Sequence, residues 1–390
     1  MTAKPPFHRR RGAQNGLLVL LALCVGMAII ETALRLTTLE HPWDRRNFAV
    51  DPVNQSLTNM MIDYDPTLGY VATPYLRGPK HYTGAPGTRL NSTAQLLNAD
   101  FYSHGERGIR LNKAPDAGGI DAIRQGGVLA VGDSFVYGSE VHDADAWPAV
   151  LEEMTGLPVI NGSAGGYGFD QAYLRMAQLI DQAKPKYLVL GCIPNCTQRN
   201  ELAVNSGLVK PYFTVKDGAL ELGNFPVPPY KPQRKHVGVF RYVFGNLYSL
   251  YWIFDRLHLR SAWLVYEYEN QYVLPPQGAE VSCLLMKSFA DLARQSEAKP
   301  ILLMEYSGWQ INGSDPSRET MKVPAVIQCA KSQGVTVVDS YPYLRELYQR
   351  SPAEFWESWM KQPHDTTGHS GHMSAQGNRA MAALVAAEIH

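Results

Sequence analysis

Four segments of this chain carry residue types that could do covalent chemistry, and all four sit in the same kind of place. The first is the turn Gly132-Asp133-Ser134, which follows the apolar stretch Val128–Val131. A serine hydroxyl is a poor nucleophile unless a base removes its proton and donors stabilise the oxyanion. A tight turn after a strand exposes the side chain and leaves the Ser134 N–H facing a substrate. Alone, Gly-Asp-Ser is ordinary turn chemistry. The second segment, Asn161-Gly162-Ser163-Ala164-Gly165-Gly166-Tyr167-Gly168, is a glycine-rich turn where backbone N–H groups can approach a ligand. The third, Cys192-Ile193-Pro194-Asn195, brings a carboxamide donor. The fourth, near the C-terminus, holds His364, Asp365, His369 and His372.

These segments have to be positioned by the elements around them. Val128–Val131, Pro158–Ile160, Tyr187–Leu190, Ile301–Met304 and Val335–Val338 are short apolar runs of strand length. Between and after them, helical spacing predicts helices over 145–154, 170–180, 279–296, 322–332 and 374–388. Tyr173, Met176, Ala177 and Ile180 share one face of the second helix, and Ser374 is the N-cap of the last. Five apolar strands alternating with helices predict an α/β fold, a three-layer, flavodoxin-like parallel sheet with helices on both faces. In such sheets ligands bind beyond the carboxyl ends of the strands, near the switch point. One edge would then collect a nucleophile, two oxyanion donors and a base.

The four blocks, in this order, resemble the SGNH (GDSL-type) hydrolase superfamily. The likeness covers roughly 127–198 and 277–390, and it extends beyond the tripeptide through GDSFVYGSEVHDADAWPAVLE. The resemblance implies Ser134 as nucleophile and His372 as base, with an oxyanion hole from the N–H of Ser134, the N–H of Gly166 and the side chain of Asn195. Gly165 replaces Gly166 if the alignment slips by one. Two departures stand out. Cys196 occupies the place where that family has an aspartate after the asparagine. His369 occupies the place of the acid three residues before the histidine, and the nearest carboxylate is Asp365. Gly368 and Gly371 could fold Asp365 back onto His372 as the triad acid. A main-chain carbonyl in that role would leave a dyad, and His369 paired with Asp365 is a further arrangement. The resemblance implies an esterase without a cofactor. An O-acyltransferase using the same triad, or a non-catalytic binding protein on the same fold, are the competing readings.

Outside 127–390 the chain reads differently. Residues 1–15 are basic (Lys4, Arg9, Arg10, Arg11) and precede an unbroken apolar run from Gly16 to Ile30. That order marks a signal peptide or signal anchor. Fifteen helical residues span about 22 Å against a hydrocarbon core of roughly 30 Å. Extension to Leu36, with Glu31 and Arg35 reaching toward water, predicts a transmembrane anchor over 16–36. The expected location is a cell membrane crossed once, with the hydrolase domain on the extracytoplasmic side and an ester of an envelope glycan or lipid as substrate. Residues 37–126 read as an irregular lead-in that wraps the main domain. Residues 200–276 read as an insertion, with a hairpin turning at Asp217-Gly218 and an aromatic section from Phe240 to Phe254 that either packs on the domain or covers the site. The 36 basic and 36 acidic residues cancel, so no nucleic-acid footprint is present. Irregular spacing of His364, His369 and His372 argues against a metal, as does the lack of a second ligand pair near Cys192 and Cys196. Cys283 and Cys329 fall on predicted helices and could pair. At least two of the four cysteines outside the apolar run are expected to be buried free thiols.

Overall fold

A computed structural model of the chain describes residues 7–37, 62–76, 102–113, 118–120, 122–229, 247, 249–250, 253, 257, 270–359 and 371–389. It divides into two compact units, Met1–Pro52 with Pro232–Tyr268, and Val53–Lys231 with Glu269–His390.

The first unit contains helix α1 (Phe7–Thr37). Glu31 Oε2 accepts hydrogen bonds from the backbone N–H and the hydroxyl of Ser249, both at 2.9 Å. Residues 16–36 are helical within α1, yet among the described residues no helix is long and apolar enough to cross a membrane. The structure therefore lends no support to the transmembrane expectation for 16–36. Its apolar run stops at Ile30, and the next turns bring in Glu31, Thr32 and Arg35. The aromatic section from Phe240 to Phe254 lies outside the described residues except for a few isolated positions, so neither expectation for it applies here.

The second unit opens with the hairpin β1 (Ile62–Asp65) and β2 (Gly69–Ala72). There follow β3 (Val128–Gly132), α2 (Ser134–Tyr137), α3 (Trp147–Thr155), β4 (Val159–Asn161), α4 (Phe169–Ala183), β5 (Tyr187–Cys192) and α5 (Asn195–Arg199). A small antiparallel group comes next: β6 (Leu202–Asn205), β7 (Leu208–Val209), β8 (Tyr212–Lys216), β9 (Ala219–Gly223) and β10 (Gln271–Tyr272). The β8–β9 hairpin turns at Asp217-Gly218, where both residues have positive φ (51° and 75°), the backbone of a tight two-residue turn. The chain closes with α6 (Gly278–Gln295), β11 (Lys299–Met304), α7 (Gly308–Asn312), α8 (Ser317–Thr320), α9 (Val323–Ser332), β12 (Thr336–Asp339), α10 (Tyr341–Arg350), α11 (Pro352–Glu357) and α12 (Ala375–Ala386).

Five strands form one parallel sheet in the order β12-β11-β5-β3-β4. Numbered along the sheet's own strands this is 2-1-3-4-5 read from the β4 edge, the flavodoxin-like winding, with its switch point between β3 and β5. Every residue of β3 and β5 is buried, which is why both read as unbroken apolar runs. Helices α4 and α6 turn their apolar stripes inward, and α4 also buries Asp170, Gln171 and Arg175. All four cysteines of this unit are paired. Cys192–Cys196 closes a short ring at the end of β5, and Cys283–Cys329 links α6 to α9 with Cα atoms 5.3 Å apart. This corrects the expectation of free thiols: Cys192 and Cys196 meet because the chain turns directly from β5 into α5, and Cys283 and Cys329 meet because α6 packs on α9.

The lead-in is partly built into the sheet's surroundings. Arg110 donates its backbone N–H to Asn161 O (2.9 Å), adding a bridge beyond the β4 edge. Tyr70 of β2 donates its hydroxyl to Gly165 O (2.9 Å) and accepts, at its own carbonyl, the Tyr167 hydroxyl (2.7 Å).

Candidate active site

The sheet edge at the switch point gathers the ends of β3, β4 and β5. Gly132 and Gly191 face each other in the β3–β5 register. A Cβ on Gly132 would lie 2.0 Å from Gly191 O and 2.4 Å from Val136 Cγ2, so only glycine lets α2 fold back this closely on the strand ends. Ser134 is the first residue of α2. The buried Asp133 is its N-cap, in extended backbone, and accepts the Phe135 N–H at Oδ1 (2.9 Å). The Ser134 N–H is one of the first N–H groups of the helix, which have no intrahelical acceptor.

His372 stands across from it, just before α12. Its Nε2 lies 2.8 Å from Ser134 Oγ, and its ring packs on Phe135 with centroids 5.1 Å apart. The two residues are 238 positions apart in sequence. The His372 backbone N–H donates to Glu140 Oε2 (3.0 Å), and Glu140 Oε1 is 3.4 Å from Nδ1. That second distance is an ion-pair separation. It does not have hydrogen-bond geometry, and Nδ1 makes no hydrogen bond among the described residues. Asp365, His364 and His369 lie outside the described residues.

The two expected oxyanion donors follow β4 and β5, the strands on either side of β3. Gly166 follows β4 with φ +80°, and a Cβ there would lie 3.0 Å from the Tyr70 hydroxyl. Its carbonyl accepts from Asn205 Nδ2 (2.9 Å), and Ala164 N–H donates to Gly132 O (3.3 Å), tying this turn to the nucleophile turn. Asn195 opens α5 after β5. Gln310 Nε2 donates to its Oδ1 (3.3 Å), which engages the acceptor half of the amide and leaves the NH2 half as donor.

One cation joins three of the blocks, and the sequence reading missed it. Arg199 Nη1 donates to Asp133 Oδ2 and to Tyr167 O, both at 3.0 Å. It therefore links the nucleophile turn, the glycine-rich turn and its own helix α5. Its position one helical turn after Asn195 was the available signal. Asp133 Oδ2 also sits 3.6 Å from Cys196 Sγ. Asp133, Cys192 and Cys196 place one potential ligand atom each within 4.8 Å of one another. The two sulfurs are bonded to each other, so this cluster offers no thiolate to a metal.

Behind the nucleophile, at the end of β11, Glu305 is fully buried, and neither carboxyl oxygen has a hydrogen-bond partner among the described residues. Burial above all, with the Asp133 charge adding to it, pushes its carboxyl well above the usual range. Its backbone N–H donates to Cys192 O (3.0 Å), which fixes it beside the disulfide.

No protein-family model matches this chain, and no curated protein does. Among solved structures it is similar to a lipolytic protein of the G-D-S-L family from Desulfitobacterium hafniense, at 14% identity over 67% of this chain and 97% of that one, with a TM-score of 0.36. It is also similar to a catalytic mutant of an acetylxylan esterase from Geobacillus stearothermophilus (14% identity, 69% and 96% covered, TM-score 0.37). A further acetyl xylan esterase matches at 13% identity, covering 68% and 100%, with a TM-score of 0.38. The site's own geometry, not these distant likenesses, carries the functional reading.

Proposed function

We propose that this chain is a serine ester hydrolase of the SGNH type, with Ser134 as nucleophile and His372 as general base. The observation that carries the reading is the 2.8 Å contact between His372 Nε2 and Ser134 Oγ at the switch point of a parallel sheet. His372 takes the Ser134 proton as Oγ attacks an ester carbonyl. The oxyanion is met by the N–H groups of Ser134 and Gly166 and by the Asn195 amide. His372 then protonates the leaving alkoxide, and water releases the acyl group by the same route. The arrangement needs no cofactor. The basic residues ahead of the apolar run Gly16–Ile30 support export of the chain, and with it an O-acylated glycan or lipid ester of the cell envelope as substrate. The test is labelling of the folded, full-length chain with a fluorophosphonate probe, alongside hydrolysis of p-nitrophenyl acetate. The parent is expected to label and turn over, and Ser134→Ala to do neither. Equal labelling of both proteins would sink the reading.

A further inference from the structure

The arrangement around His372 points to a functional carboxylate outside the histidine's own loop. We infer that Glu140, carried on the turn after the nucleophile helix, is the residue that orients His372 and holds its charge, in place of an acid from the histidine's own loop. This rests on the reading of Ser134 and His372 as nucleophile and base.

For Nε2 to accept the Ser134 proton, the ring's own hydrogen must sit on Nδ1. Nδ1 is the atom that faces Glu140 Oε1, at 3.4 Å. The other oxygen, Oε2, accepts the His372 backbone N–H at 3.0 Å. One carboxylate thus addresses both the main chain and the ring of the base, across 232 residues of sequence. The carboxylate is largely buried, with 14% of its side chain exposed, so its field is screened less than that of a surface acid. As Ser134 gives up its proton, the imidazole becomes imidazolium. Glu140 stays ionised throughout, and no proton passes to it. It selects the tautomer and stabilises the positive ring. In a resting site this contact is often long and tightens on reaction.

The turn that presents Glu140 is held far more firmly than a surface loop would be. Gly138 and Glu140 both have left-handed backbone, φ +80° and +72°. For a non-glycine residue that conformation is strained and persists only where the surroundings impose it. The lead-in imposes it here. The Tyr102 hydroxyl accepts the Glu140 N–H at 2.6 Å. The buried Arg110 guanidinium donates to the carbonyls of Tyr137, Gly138 and Val141, and Asp143 Oδ1 accepts from its Nε at 3.2 Å. It lies between the rings of Tyr102 and Tyr137, 4.7 and 4.9 Å from their centroids. A strained residue locked on both sides, with its carboxylate on the base, has the build of a positioning device.

The isostere separates the two roles such a residue could have. Glu140→Gln keeps the length and an acceptor for the His372 N–H, and removes only the charge. It is expected to lower kcat for p-nitrophenyl acetate about 10²–10⁴-fold, with KM within about threefold and an unchanged melting temperature. Glu140→Asp is expected to recover at least about tenfold of that loss, which a purely structural role would not produce. Asp365→Asn is expected to stay within about threefold of the parent. Parent-like turnover in Glu140→Gln, or the reverse ranking of the Glu140→Gln and Asp365→Asn variants, overturns the assignment while leaving the hydrolase intact. Turnover that persists in Ser134→Ala overturns the hydrolase reading itself, whatever the Glu140 variants do.

Discussion

Replacing Arg110 with methionine tests whether the lead-in is part of the catalytic architecture. Methionine keeps much of the volume and deletes the guanidinium. The Arg110 side chain is fully buried, and its loss strips a donor from three carbonyls (Tyr137, Gly138 and Val141) and the counter-charge from Asp143. Removing one partner of a buried ion pair typically costs about 3–5 kcal/mol, because the other charge is left uncompensated. Some of the stranded carbonyls will find water, so the lower half of that range is the expected loss, near 3 kcal/mol. At about 2–4 °C per kcal/mol for a domain of this size, the melting temperature should fall by roughly 6–12 °C. The loss should depend on pH. Burial already raises the Asp143 carboxyl above its usual range, and Arg110 opposes that rise. Without Arg110 the folded state binds a proton at Asp143 more readily than the unfolded chain does, so the variant regains stability as pH falls and the deficit is smaller at pH 5 than at pH 8. Urea titrations at both pH values measure this. The fluorophosphonate labelling rate, taken well below the melting transition, should fall at least tenfold as the Glu140 turn loosens. A variant within about 0.5 kcal/mol of the parent at both pH values, labelling at the parent rate, would refute the reasoning.

Two further expectations concern the strand ends. Asn195→Ala should depress kcat by about 10²–10³ with little change in KM, since an oxyanion donor acts on the transition state; steady-state kinetics on p-nitrophenyl acetate decide it, and a change confined to KM would remove Asn195 from the hole. Glu305 has a folded-state carboxyl raised well above its unfolded value, so its contribution to stability is fully present below the unfolded value and is lost as pH rises through the folded one. Over that interval the loss is up to about 1.4 kcal/mol per pH unit. Glu305→Gln, neutral throughout, should show a flatter decline of stability between pH 5 and 8 in parallel urea titrations. Equal slopes in the two proteins would mean that Glu305 does not hold an extra proton in the folded state.

What could be read from the sequence was whatever the chain expresses locally. Strands buried on both faces must be apolar at every position, so VLAV and YLVL announced β3 and β5 without an alignment. Ser134, Gly166, Asn195 and His372 each stand at a strand end or before a helix, and that placement could be inferred from periodicity alone. Glu140 could not, because its link to His372 spans 232 residues and no spacing rule connects them. Arg110 was hidden differently. It sits in a segment whose glycines, prolines and tyrosines look irregular, and irregular backbone gives no pattern from which to guess a buried cation. Arg199 shares a helix with Asn195, but its partners Asp133 and Tyr167 come from other loops. The cysteine pairing depended on how α6 and α9 pack, which the separate helices do not state.

The Cys192–Cys196 bond has a bearing on how the chain matures. It joins the last residue of β5 to the second residue of α5, and Asn195 lies inside the small ring it closes. In a compartment that keeps thiols reduced, the carboxamide would be held by Gln310 and by the turn alone. Where oxidation is possible, the same amide is carried on a covalently closed loop. Closure of the Cys192–Cys196 ring and the setting of the proposed oxyanion donor are then linked.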